Sequence, residues 1–268
     1  MDYQQFHALC GGQGQPLGRI FETMIQAWYT SELGSRSSVI DGGAFRGRHT
    51  APVARVIAPG TVHAFEPVPA SRESLINRLA EDGIDNVTVH PLALADFSGP
   101  SSFSYVVNAA GYSGLKPRAY PQTIEVALNV ETIEVMCTRL DDLIGTAIPD
   151  HIDFMKLDLE GGEFDALRGA GTVVDENRPI IAFENGLAAP AEIYGYSSQE
   201  FLTWFEEHGM TLVDVFGNEL RDNMWDQEPK AFYFWALPTE QLGPRTAAIR
   251  RIRRKVLESF GLEDVTAS

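Results

Sequence analysis

Two apolar periods alternate along this chain. Residues 17–33 place Leu17, Ile20, Phe21, Met24, Ile25 and Trp28 at helical spacing, which predicts a leading helix with one buried stripe. Residues 37–41 form a short apolar run that ends on an acid and reads as a strand. A glycine-broken turn follows, and residues 48–58 read as a helix with Pro52 in its first turn. Strands are then predicted at 61–66, 86–91, 152–158, 179–184, 211–216 and 231–237, with helices at 69–82, 163–169 and 198–208. Repeated strand–helix units with nearly continuous apolar strands imply an α/β fold, a mostly parallel, doubly wound sheet covered on both faces. The last two strands lack an intervening helix, so an antiparallel edge pair is expected. Residues 97–140 break the alternation with Ser, Gly, Tyr and β-branched residues and read as an inserted β-rich lid. Such an insertion after the third strand falls near the carboxyl ends of the strands, where open α/β sheets bind ligands.

The 268 residues then divide into an N-terminal helical cap (1–36), a main domain (37–240) and a C-terminal segment (241–268). Hydrophobic residues make up 44 % and charged residues 22 %, a globular composition. No run approaches ~18 apolar residues, so no membrane span is expected. There is no basic start followed by an apolar core, hence no secretory signal. Cys10 and Cys137 read as free thiols in a reducing cytoplasm. The net charge of −16 argues against a nucleic-acid partner. Arg245, Arg250, Arg251, Arg253, Arg254 and Lys255 concentrate basic charge in the C-terminal segment. That helix can pack on its own acidic body or on a neighbouring subunit of a homo-oligomer; an anionic partner is the other reading.

Chemistry enters first at VIDGGAFRG, Val39–Gly47. An acid, Asp41, ends a strand, and Gly42, Gly43 and Gly47 let the backbone turn sharply and approach a ligand. The following helix directs its positive dipole end at the same place. The combination suits a ligand carrying both a carboxylate and a positive group. The dinucleotide pattern G-x-G-x-x-G is absent, which disfavours a dehydrogenase. In HAFEP, Glu66 ends the next strand 25 residues after Asp41, where an acid can accept hydrogen bonds from both ribose hydroxyls of an adenosine ligand. Each feature alone is also met in plain tight turns and helix caps. Their conjunction points to an adenosine ligand.

The segments VIDGGAFRGRHT, HAFEPVPAS, LALAD, TRLDDL, MKLDLEGGEFDALRG and IIAFEN occur in an order that resembles FkbM-type methyltransferases, from about Val39 to Asn185. The resemblance implies a Rossmann-like, seven-stranded domain and S-adenosylmethionine as cofactor. It also implies methyl transfer to a hydroxyl on a sugar, lipid or secondary metabolite. Carried over by position, Asp41, Gly42 and Gly43 would hold the methionine end, Glu66 with Pro67 the ribose, and Ala93 and Asp96 would flank the adenine. The family commonly has Asn where this chain has Phe45.

MKLDLEGGE gathers Asp158, Glu160 and Glu163, and carboxylates this close repel one another unless a cation, donor or proton intervenes. Lys156 is the nearest cation and shares a strand face with Asp158. Glu184 and Asn185 end the next strand. Oxygen ligands from adjacent strand ends can hold Mg²⁺, and the layout is similar to that of catechol-type O-methyltransferases, so Asp158, Glu184 and Asn185 are candidate metal ligands. The metal-free reading has Asp158 and Glu160 bind the cofactor amine or cap the next helix. A hydroxyl acceptor must lose its proton, which makes Asp158, Glu160 and Glu184 the candidate catalytic residues, as metal ligand or general base. His49, His63, His90 and His151 are weaker candidates, with His63 and His90 inside strands. Tyr105, Tyr112, Ser113 and Trp225 are candidates for lining the site of a small hydroxylated acceptor. A non-enzymatic adenosine-binding module on the same fold is the alternative.

Overall fold

The computed structural model describes residues 1–11, 17–118, 129–226 and 231–262. Seven strands form one sheet: β1 (Ser38–Gly42), β2 (Thr61–Phe65), β3 (Val87–His90), β7 (Phe154–Leu157), β8 (Ile180–Glu184), β9 (Met210–Asp214) and β10 (Tyr233–Pro238). Their order is β3-β2-β1-β7-β8-β10-β9. Neighbours from β3 through β8 are parallel, and β10 runs against both β8 and β9. This is the predicted doubly wound sheet, with the expected antiparallel pair at one edge. A second sheet, order β4-β6-β5, joins β4 (Leu92–Leu94), β5 (Gly99–Val106) and β6 (Val130–Thr138). Its antiparallel β5–β6 hairpin is the expected β-rich insertion; residues 119–128 of that insertion lie outside the described residues.

Strand parity divides the core. Val39, Val62, Phe154, Ile180, Ala182 and Trp235 face α1 (Tyr3–Gly11), α2 (Leu17–Glu32), α3 (Thr50–Ile57) and α9 (Leu242–Ser259). Ile40, Met155, Leu157, Ile181, Phe183 and Phe234 face the other way. They meet α5 (Glu163–Arg168), α6 (Gly171–Asn177), α7 (Ala188–Tyr194) and α8 (Ser198–Glu207). α4 (Pro69–Glu81) starts on Pro69, whose fixed φ suits a first helical position, and α8 starts on a capping box of Ser197 and Glu200.

The leading helix has the predicted stripe, with Ile20, Phe21, Met24, Ile25, Trp28 and Tyr29 buried. Trp28 lies 5.2 Å from Phe154 and 5.1 Å from Trp235, ring centre to ring centre. The basic C-terminal segment is helical and packs on its own body. Arg251 reaches Glu32 of α2 at 2.6 Å, and Arg253 donates to the carbonyl of Phe216. Among the described residues no helix is long and apolar enough to cross a membrane. Cys10 and Cys137 are buried free thiols.

Parity also explains the site. Asp41 shares a face with Val39, Lys156 with Phe154, and Glu184 with Ala182. All three polar side chains therefore emerge at the carboxyl ends of β1, β7 and β8 on the side that α2 covers. Because Trp28 ties α2 to that side, Trp28→Ala is expected to lower unfolding stability by about 3–5 kcal/mol. A urea titration reads this as a lower midpoint with an unchanged slope.

Candidate functional site

The chain runs outward from β1 to β3 in one direction and from β7 to β8 in the other, so a crevice opens between the ends of β1 and β7. A cavity of about 170 Å³ occupies it. Of the site residues named from the sequence, Asp41, Gly43, Glu66, Pro67, Ala93, Asp158 and Glu160 line it. Phe103, Ala110, Gly111, Ser113 and Leu115 of the insertion cover it. Two expected cofactor residues are not in its wall. Gly42 packs between Leu157 and Leu94, and Asp96 points outward to Arg168 at 3.6 Å.

Asp41 is 1 % exposed. Its Oδ2 accepts the Thr50 hydroxyl at 2.5 Å, while Oδ1 is buried without a partner. Glu66 accepts the backbone N–H groups of Val68 and Phe45, each at 2.8 Å, and burial pushes its carboxyl up to about 7 against those bonds. The glycine turn differs from expectation in what it offers. The N–H groups of Gly43 and Ala44 donate to the carbonyl of Phe65, so they are not free for a ligand. A side chain at Gly43 would put Cβ 1.9 Å from the Asp158 carbonyl oxygen, and φ is +75°. Gly43 is thus required by contact between the two strand-end loops.

Lys156 is the cation that separates the carboxylates. It is 5 % exposed, lies in register beside Asp41, and donates to Asp158 at 3.1 Å. Burial opposes its charge, but Asp158, Asp41 and Glu22 raise its pKa and keep it protonated. Glu160 pairs with Arg118. Glu163 is fully buried, and its Oε1 accepts the N–H groups of Leu159 at 2.7 Å and Gly161 at 3.2 Å, which clamps the loop carrying Asp158 and Glu160. Burial pushes Glu163 up to about 8.

The three expected metal ligands are divided between two cavities, with Asp158 in the wall of the first and Glu184 and Asn185 in the wall of a second that adjoins it. The side-chain oxygen of Asn185 accepts the Leu187 N–H at 2.6 Å, and its amide nitrogen donates to Tyr196 at 3.2 Å. Asn185 therefore supports the start of α7 and the Tyr196 side chain. Among the described residues no three His, Cys, Asp or Glu side chains are grouped as a metal would require. Lys156 and Arg118 already compensate Asp158 and Glu160.

The second cavity, of about 700 Å³, adjoins the first and shares Glu160 with it. Glu184, Lys116, Arg118, Tyr194 and Phe232 are among its lining residues. Burial and the charge of Asp158 push Glu184 up to about 7, against Tyr233 and Lys156. Of the expected acceptor residues, Ser113 lines the first cavity and Tyr112 lies beneath Arg118 at 5.5 Å. Tyr105 packs against the small core of the second sheet. Trp225 is buried against Phe201 and Tyr196, a core residue instead of a ligand contact.

Sequence reasoning missed Glu22 and undervalued His49. Both line the first cavity and are hydrogen-bonded to each other. Glu22 Oε1 also accepts the Tyr233 hydroxyl at 2.5 Å. Burial would raise Glu22, but His49, Lys156 and Tyr233 outweigh it and hold the carboxyl at about 2. The available signal was position: Glu22 stands three before Ile25 and seven before Tyr29, an acid on the buried stripe of α2. His63 and His90 are buried and stacked on each other, as strand histidines were expected to be. His151 is exposed beside Asp153.

Residues 41–212 match the methyltransferase FkbM domain, and the chain belongs to that family. It is 27 % identical over 161 residues to methyltransferase sdnD of Sordaria araneosa, covering 52 % of this chain and 62 % of that protein. It is 28 % identical over 145 residues to methyltransferase 1 of Beauveria bassiana, covering 50 % and 58 %. The chain thus spans about three fifths of the length of these curated relatives. A solved FkbM methyltransferase from Methylobacillus flagellatus superposes with a TM-score of 0.47 at 17 % identity, over 78 % of this chain and 47 % of the other.

The Gly43 contact gives a stability prediction. Gly43→Ala combines a positive φ with a backbone clash, whereas Gly83→Ala, at φ +63° with open space around it, carries only the first cost. Overpacking of this kind costs about 1–3 kcal/mol. Gly43→Ala is therefore expected to melt several degrees below Gly83→Ala in a thermal scan; equal melting points would contradict the contact.

Proposed function

We propose that this chain transfers a methyl group from S-adenosylmethionine to a hydroxyl of a small-molecule acceptor. The observation that carries the reading is the unpartnered oxygen of buried Asp41, in a strand-end cavity that also holds Glu66 and lies inside the FkbM-matched region. An anionic, unsatisfied oxygen at one end suits an ammonium group. A carboxylate at the next strand end suits a ribose, since each Glu66 oxygen keeps acceptor capacity beyond its single backbone bond. Pro67, Val68, Ala93 and Phe103 supply apolar walls for a flat ring.

When bound, S-adenosylmethionine would supply an electrophilic methyl on a cationic sulfur. The residues of this chain would do the rest. Asp41 and Glu66 fix the two ends of the cofactor, and alignment of the reacting atoms is worth ~7–11 kcal/mol of barrier. Phe103 and Leu115 from the insertion exclude water from above. The acceptor occupies the second cavity, and Glu184 takes the hydroxyl proton there. A carboxylate poised near neutrality is suited to that task, and a general base contributes ~10²–10⁴-fold. Asp158 and Glu160 position the loop between the two cavities. Lys156 already neutralises Asp158, and the Asn185 oxygen is bonded to the Leu187 N–H, so these side chains do not require a cation between them.

Asp41→Ala is expected to weaken S-adenosylhomocysteine binding at least tenfold by calorimetry, the loss of one charge-assisted hydrogen bond of ~1.5–3 kcal/mol. Unchanged affinity in a folded variant would remove the site assignment. With an acceptor found by screening hydroxylated compounds, kcat/KM should fall as pH drops below about 7, because the base must be ionised. Glu184→Gln should lower kcat by 10²-fold or more while leaving S-adenosylhomocysteine affinity in place. Activity should survive exhaustive dialysis against EDTA. A loss reversed by Mg²⁺ would return Asp158 and Glu184 to a metal-holding role, and tight cofactor binding without turnover on any acceptor would favour the non-enzymatic module.

A further inference from the structure

The end of the first cavity under α2 contains a second buried polar atom without a partner. His49 is 6 % exposed, and its Nδ1 makes no hydrogen bond, while Nε2 is bonded to Glu22. Glu22 is a carboxylate there, so Nε2 carries the proton of that bond. A buried ring N–H without an acceptor is costlier than a bare lone pair, which leaves Nδ1 as an acceptor. Asp41 Oδ1 and His49 Nδ1 are therefore two buried, unsatisfied acceptors on residues that line the cavity, with the Glu22 charge behind the second. An ammonium group has three N–H donors and a full positive charge, and satisfies both. The only ammonium already nearby among the described residues, that of Lys156, is engaged with Asp158.

We propose that His49, held by Glu22 of α2, is a second acceptor for the ammonium at the amino-acid end of the cofactor, beside Asp41. The proposal rests on the cofactor reading above and extends it beyond the family-matched residues, since Glu22 precedes residue 41. His49 is then a direct ligand contact. Glu22 is a positioning residue: both its oxygens are occupied, by His49 and Tyr233, and it acts by fixing the imidazole and adding negative charge. It follows that α2 is part of the cofactor site and that ligands are distinguished by whether they carry the amine.

Three ligands separate the possibilities in calorimetry on the full chain. S-adenosylhomocysteine carries amine and carboxylate, its decarboxylated analogue keeps only the amine, and 5′-methylthioadenosine has neither. The wild type should bind both amine-bearing ligands at least tenfold more tightly than 5′-methylthioadenosine. His49→Ala should erase most of that preference and leave 5′-methylthioadenosine binding within about twofold. Glu22→Gln, which keeps the shape and removes the charge, should reduce the preference by about threefold or more, again without touching 5′-methylthioadenosine. His49→Gln serves if His49→Ala melts too low to measure. Equal weakening of all three ligands by these substitutions would mean a merely structural role and overturn the proposal. A preserved preference would also overturn the proposal while leaving the cofactor reading standing, whereas a wild type that binds 5′-methylthioadenosine as tightly as S-adenosylhomocysteine would overturn the Asp41 ammonium contact together with this proposal. A wild type that binds none of the three overturns the cofactor reading and this proposal together.

Discussion

The ammonium of Lys156 is the interaction on which the strand-end site depends. It sits on the central strand β7, nearly excluded from water, with Asp41 beside it in register, Asp158 two residues on, and Glu22 on the helix above. A lone buried cation would shed its proton, and carboxylates this close would repel one another. Together they form a cluster of three carboxylates around one ammonium, in which Lys156 offsets the mutual repulsion of the acids. Such clusters are expensive to break, because removing one partner leaves an uncompensated charge in a low-dielectric setting. The cluster also fixes the sign of the crevice. Lys156 directs its hydrogen bond at Asp158, which leaves one buried Asp41 oxygen without a partner.

This arrangement changes what the glycine turn does. Its early N–H groups are spent within the protein, on Phe65 and Glu66, and its second glycine is demanded by the neighbouring loop. What the cavity offers a ligand is therefore mostly side chains: Asp41, Glu66, and the apolar walls contributed by the insertion. Glu66 has a double duty, since the same carboxylate that faces the cavity also ties the start of α4 to the glycine turn through Val68 and Phe45. A group bonded to Glu66 would reach loops from two strands at once.

Much of the architecture was legible in the chain because strand and helix periods depend on local pattern, and parity carries that pattern into three dimensions. Asp41 and Glu66 were legible for the same reason, as acids ending apolar runs. Other parts depended on what no local pattern contains. Asn185 follows an acid at a strand end, as a metal ligand would, yet its side chain turns to Leu187 and Tyr196, and only the fold of α7 decides that. Trp225 sits in a loop by sequence and in the core by packing. Glu22 and His49 are 27 residues apart, one on α2 and the other in the turn before α3, so their bond exists only once α2 lies across the sheet.

The contact between Gly43 and Asp158 sets how the cavity can open. Two backbones that already touch cannot be pressed closer, and each is held by its own bonds, Gly43 to Phe65 and the loop after Asp158 to Glu163. The lip between β1 and β7 is therefore rigid. A molecule the size of a nucleoside must pass where the walls are side chains or separate elements, beneath the β5–β6 hairpin or along α2. The same rigidity bears on redesign: any enlargement of this cavity would have to come from Phe103, Leu115 or Leu159, since the glycine lip has none to yield.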